Sequence, residues 1–140
     1  MNRLIPALIA LLLTMDLVGA VLSMKYGLSP TFLDALGSEA RLSAPLPMMI
    51  AQVVLAFGAT RRHRGVAAVC AGLLTIAGAL AFISGFFDGG YGDARLTTAL
   101  RLFQIALVGG HVAMGIAGGV RVAQVLRPRP ALAGTTGPTP

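Results

Sequence analysis

The sequence predicts an all-α integral membrane protein, an up-and-down bundle of four transmembrane helices. Three observations carry that expectation. The 140-residue chain is 56% hydrophobic and only 11% charged, with a mean hydropathy of +0.81, whereas soluble domains carry about a quarter charged residues. Its apolar residues gather into four segments separated by polar connections. Its basic residues collect on alternate connections.

The charge pattern sets the expected orientation. Arg3, Arg61, Arg62, Arg64, Arg121, Arg127 and Arg129 fall at the N-terminus, in the second connection and at the C-terminus, places that share one side if the chain crosses four times. Lys25, Arg41, Arg95 and Arg101 fall on the other side, together with Asp34, Glu39, Asp88 and Asp93. One side is basic without acids and the other is balanced, which predicts both termini in the cytoplasm. The Ala-, Gly- and Arg-rich, Lys-poor usage looks like that of a high-GC bacterium, so a bacterial inner membrane is the expected location. The net charge of +6 is thus first a topology signal. A second role in meeting anionic lipid headgroups falls to the Arg61-Arg62-His63-Arg64 loop. No fold or aromatic pattern supports nucleic-acid binding.

In chain order, a single transmembrane domain covers residues 1–126. The first helix, about residues 4–24, is long enough for a hydrocarbon core of about 30 Å, and Pro6 in its first turn costs little. A cleavable signal peptide ending near Val18-Gly19-Ala20 is the rival reading. The uncleaved helix gives an even number of crossings and agrees with the charge pattern. A short interfacial helix at about residues 30–36 follows, with Ser29-Pro30 as its start, Gly37 as its stop and Phe32, Leu33 and Leu36 on one face.

The second crossing, about 45–60, opens at Pro45 and Pro47 and is short, so Arg61 must snorkel and the bilayer must thin. The third, about 65–87, carries Gly72 and Gly78 among alanines, small residues that let helices approach closely. Lone Cys70 within it reads as a small core residue. Asp88 to Asp93 reads as a Gly-rich turn rather than a calcium loop. The fourth helix, about 97–122, should be central and enclosed. Arg101, Gln104, Val108, His111, Gly115 and Gly119 fall on one face, and Ala99, Ala106, Gly110, Ala113 and Ala117 fall opposite. Tyr26, Phe32, Phe86, Phe87 and Tyr91 suit an aromatic belt. The Pro-, Gly- and Thr-rich residues 127–140 read as a disordered cytoplasmic tail.

Chemistry rests on a few buried polar residues. Asp16 in the first crossing and His111 in the fourth should lie at similar depth, where a carboxylate costs at least about 2.5–3.5 kcal/mol. A pair would offset that cost and could exchange a proton. Gln52 and Gln104 are placed to join them, and Arg101 lies nearer the outer face. These residues read either as a proton-handling or binding site or as hydrogen-bonded glue between helices, and the sequence leaves the two open. Gly72, Gly78, Gly110, Gly115 and Gly119 are the expected packing glycines.

No cofactor is expected. Haem ligation by paired histidines would need a second membrane histidine, supplied only by another copy of His111. No histidine-cysteine cluster suits zinc, and the hydrolase motifs are absent.

The four-crossing layout with a carboxylate in the first helix resembles small multidrug resistance transporters. Here the acid is Asp16 rather than the family's Glu, tryptophan is absent, and the first outer loop is long. The layout is also similar to that of DoxX-like four-helix proteins. Two functions are expected: a non-enzymatic membrane protein that contacts lipids or partner proteins, a homodimer included, or a small proton-coupled transporter using Asp16 and His111.

Overall fold

The computed structural model describes residues 3–37, 40, 42–87 and 94–127. Its elements are α1 (Leu4–Lys25), α2 (Phe32–Ala35), α3 (Leu46–Ala59), α4 (Arg64–Phe87) and α5 (Thr98–Leu126). The protein is all-helical among the described residues. Three of the helices, α1, α4 and α5, are long and apolar enough to cross a membrane. α3 has 14 residues, about 21 Å of helix, which is less than a hydrocarbon core of about 30 Å. The Asp88 to Asp93 turn, Glu39, Arg41, the side chains of Phe86 and Phe87, and residues 128–140 with Arg129 lie outside the described residues.

The long helices form a ring in which α1 packs on α3 and α5, and α4 packs on the same two. Its solvation is inverted relative to a soluble protein. Leu11, Leu17, Ile50, Val54, Val69, Ile76, Leu102 and Ile105 are exposed around the circumference, while Asp16, Ser23, Gln52, Gln104 and His111 are buried. Water would penalise that arrangement on both counts, and a bilayer rewards it.

Side chains that meet glycines of the facing helix fix the helix directions. Leu12 meets Gly110, and seven residues further along α1, Gly19 meets Phe103, seven residues earlier on α5. The two helices are therefore antiparallel and in register. At the arginine-rich end, Arg64 donates from Nε to the Val125 carbonyl at 2.9 Å and from Nη2 to the Arg127 carbonyl at 2.7 Å. Arg121 Nε donates to the Ala59 carbonyl at 3.1 Å. Carbonyls at helix C-termini lack intrahelical donors, and a guanidinium supplies both a donor and favourable charge. These two arginines thus join the start of α4 and the end of α3 to the end of α5, beyond any role in orientation.

α4 and α5 approach most closely. A Cβ on Gly78 would lie 2.6 Å from the His111 carbonyl oxygen and 2.8 Å from the Gly115 Cα. A Cβ on Gly118 would lie 2.6 Å from the Ala71 carbonyl oxygen. Small residues are required here because the opposing atoms are backbone. Between α3 and α4, Gly58 meets a side chain instead, with the Cys70 thiol seated against it.

Two expectations for α5 are corrected. Its flank is not enclosed: Ala99, Ala106 and Ala113 are exposed, as are Leu102, Ile105 and Ile116. The buried stripe runs through Leu100, Gln104, Leu107, His111, Met114 and Gly118. α5 touches only two of the long helices closely, so the side away from them remains open. The helix also continues to Leu126.

The connection between α1 and α3 differs most from expectation. α2 spans four residues, and its N-cap is Thr31, whose hydroxyl accepts from the Asp34 amide at 3.1 Å. Leu36 is buried against Ala20, Ala35 and Met49, while Leu33 is 73% exposed, so Phe32, Leu33 and Leu36 do not share one face. The chain then turns back into the bundle. Leu42 and Ser43 are buried, Ser43 Oγ donates to the Ala35 carbonyl at 2.6 Å, and the Leu46 amide donates to the Leu36 carbonyl at 2.6 Å. The connection is a plug in the end of the bundle rather than a strap across its surface.

Candidate functional site

The site begins with the plug. Residues 42–45 are non-helical backbone inside a helical bundle, and every N–H there needs an acceptor. Asp16 provides one: its Oδ1 accepts the Ala44 amide at 2.7 Å. Asp16 stands nine residues before the end of α1 at Lys25, about 13 Å down its axis. The re-entrant segment reaches that deep. It can do so because Gly19, one turn further along α1, has no side chain, and the Leu42 carbonyl occupies the place where a Cβ would be. Asp16 and Gly19 thus form a cradle for one stretch of backbone, with Leu42 fully buried and held by Leu28, Leu96 and Leu100.

Around Asp16 lies the rest of the polar centre. The register of α1 on α5 sets Asp16 between the levels of Gln104 and His111. The His111 ring bonds through Nδ1 to the Leu107 carbonyl at 2.9 Å; a carbonyl can only accept, so Nδ1 carries the proton. Gln52, at 1% exposure, lies on α3 between Met49, which packs near Ala20, and Ala56, which packs with Ile5 and Ile9. Four of the five expected residues, Asp16, Gln52, Gln104 and His111, therefore occupy one stratum of the interior. Arg101 does not: it is exposed near the start of α5, one position away from the buried Leu100.

Several polar atoms of the stratum are buried without a partner: Asp16 Oδ2, both amide atoms of Gln52 and Gln104 Oε1; Ser23 Oγ, further along α1, is another. Buried polar groups are normally hydrogen-bonded, and such a cluster marks a place for water, an exchangeable proton or a small polar ligand. Carboxylate, imidazole and carboxamides can relay a proton or grip a hydrogen-bonding solute. No nucleophile activated by a neighbouring base is among them.

The packing glycines divide. Gly78 and Gly115 face one another across α4 and α5. Gly110 faces the Leu12 side chain, whose flexible end can yield. Gly72 and Gly119 make only ordinary contacts, at 4.0 and 3.7 Å. Gly58, Gly118 and the Ala44 amide were not singled out from the sequence, and Gly19 was named only within the rival cleavage site. Gly19 alone had a signal, one helical turn from the buried acid at Asp16. No protein family, curated protein or solved structure matches the chain.

Proposed function

We propose that the chain is a four-crossing, non-enzymatic membrane protein of a bacterial inner membrane, with both termini cytoplasmic, that works through contact with lipids or other membrane proteins. The fourth passage is α3 together with the buried segment ahead of it, which supplies the length that α3 lacks. The single observation that favours interaction over transport is the Asp16–Ala44 hydrogen bond. The carboxylate that would carry a coupled proton is engaged in holding a loop, and that loop closes the bundle above it. The apolar circumference is the contact surface, with the bilayer as first partner and a second copy along the open flank of α5 as the other.

Proton-coupled transport is the second reading, favoured by the unpartnered atoms around Asp16. The two are separated by reconstituting the purified protein in liposomes with a pH-sensitive dye inside. Interaction predicts no proton movement beyond protein-free liposomes, in wild type and in Asp16→Asn alike. A flux present in wild type and absent in Asp16→Asn would replace the first reading with the second.

Topology has its own check. In a Cys70→Ala background, a cysteine at position 62 should react with a membrane-impermeant maleimide only after cells are opened, and one at position 31 should react in intact cells. The reverse pattern would overturn the orientation.

A further inference from the structure

The arginine-rich end holds a cavity of about 640 Å³ lined by Phe57, Thr60, Arg61, Arg62, His63 and Val66. The arginines of this end are not equivalent. Arg64 and Arg121 are committed to helix-end carbonyls, whereas Arg61 and Arg62 line the cavity. Arg61 is stacked 4.1 Å from the Phe57 ring centroid, which holds its plane and leaves the guanidinium edges for an anion. His63 is fixed as well, its Nδ1 accepting the Val66 amide at 3.4 Å, within the first turn of α4. Below this cationic rim, Phe57 and Val66 are exposed at 62% and 44%. Such a cavity presents charge at the rim and bare apolar surface beneath it, which suits an amphiphile better than a free ion. Arg61 and Arg62 follow closely on the end of α3 at Ala59, the level at which a spanning helix meets the lipid phosphates.

We propose that this cavity binds the phosphate of an anionic phospholipid, with Arg61 and Arg62 on the phosphate and Phe57 and Val66 along the start of the acyl chains. The proposal deepens the interaction reading and rests on the chain being embedded in a membrane, which carbonate extraction of membranes tests separately. The experiment is native mass spectrometry of the full chain released from detergent micelles holding equal phosphatidylglycerol and phosphatidylcholine. Wild type is expected to retain phosphatidylglycerol selectively. Arg61→Gln with Arg62→Gln is expected to lower that selectivity by about twenty-five-fold, at about fivefold per arginine. Arg61→Lys with Arg62→Lys should keep part of it, while Lys25→Gln, at the opposite end of α1, should change nothing. Both double variants alter exposed residues, and size-exclusion profiles matching wild type confirm that they fold.

Equal retention of the two lipids, or selectivity unchanged in the glutamine variant, overturns the proposal. A parallel arm adds millimolar inorganic phosphate: displacement of the lipid by phosphate at equal concentration would mean a site for the free anion and would overturn the lipid assignment.

Discussion

Replacing Gly78 by valine should force α4 and α5 apart and lower the unfolding free energy by about 2–4 kcal/mol, the upper range for overpacking. The Cβ alone would sit 2.6 Å from the His111 carbonyl oxygen and 2.8 Å from the Gly115 Cα, and backbone cannot swing aside as a side chain can. Gly118→Ala should follow the same course, with the Ala71 carbonyl oxygen at 2.6 Å and the Thr75 hydroxyl at 2.9 Å. Gly119→Ala is the contrast: its Cβ would meet Thr75 at 3.7 Å, ordinary contact. Gly109→Ala meets nothing within 4 Å and should stabilise slightly through helix propensity. Unfolding in detergent with increasing dodecyl sulfate, followed by circular dichroism, ranks the four. If Gly119→Ala falls with Gly78→Val, the helix contact is not the one described.

That ranking shows what periodicity could and could not reveal. A heavy share of glycine in two apolar helices announces close packing, and Gly78 and Gly115 do supply it. Spacing cannot say which of Gly115, Gly118 and Gly119 bears the contact, because adjacent positions lie about 100° apart and the crossing of two helices selects among them. The same limit moved the polar stripe of α5. Leu100 is buried and Arg101 exposed, a rotation of one residue that removes Arg101 from the centre while keeping Gln104 and His111 there.

The first three apolar segments were legible as helices to within a residue at each end, whereas the fourth continues four residues further, to Leu126. The connection from Lys25 to Pro45 was not. Its buried face is built by tertiary contact, with Leu36 on Ala20 and Met49, and by bonds between backbone groups far apart in sequence. Nothing in the local order of residues announces that a polar-looking loop re-enters the bundle. In retrospect the nearest hint is the acid on α1 with a glycine three positions later, which together read as a place where another backbone arrives.

The same cradle yields the second large effect. Asp16→Ala should leave the part-buried Ala44 amide unpaired, a loss of about 1–3 kcal/mol, and the loss should fall first on residues 42–46 rather than on the long helices. Their anchorage is otherwise the Ser43 and Leu46 bonds to the α2 region and the burial of Leu42. Hydrogen exchange, read by mass spectrometry on a peptide covering 42–46, should therefore quicken by roughly tenfold or more in Asp16→Ala, with α4 unchanged.

Asp16→Asn separates the bond from the charge. A carboxamide oxygen still accepts from Ala44, so exchange should stay near wild type, with a modest increase from losing a charge-assisted bond. Gly19→Val attacks the same segment from the other side, since its Cβ would take the place of the Leu42 carbonyl; it should match Asp16→Ala without touching any ionisable group. Agreement of Asp16→Ala with Gly19→Val, and of Asp16→Asn with wild type, would place the carboxylate's role in the plug. If Asp16→Asn opens the loop as far as Asp16→Ala does, the charge itself is what holds the segment, and His111, on the facing stretch of α5, becomes the next residue to vary.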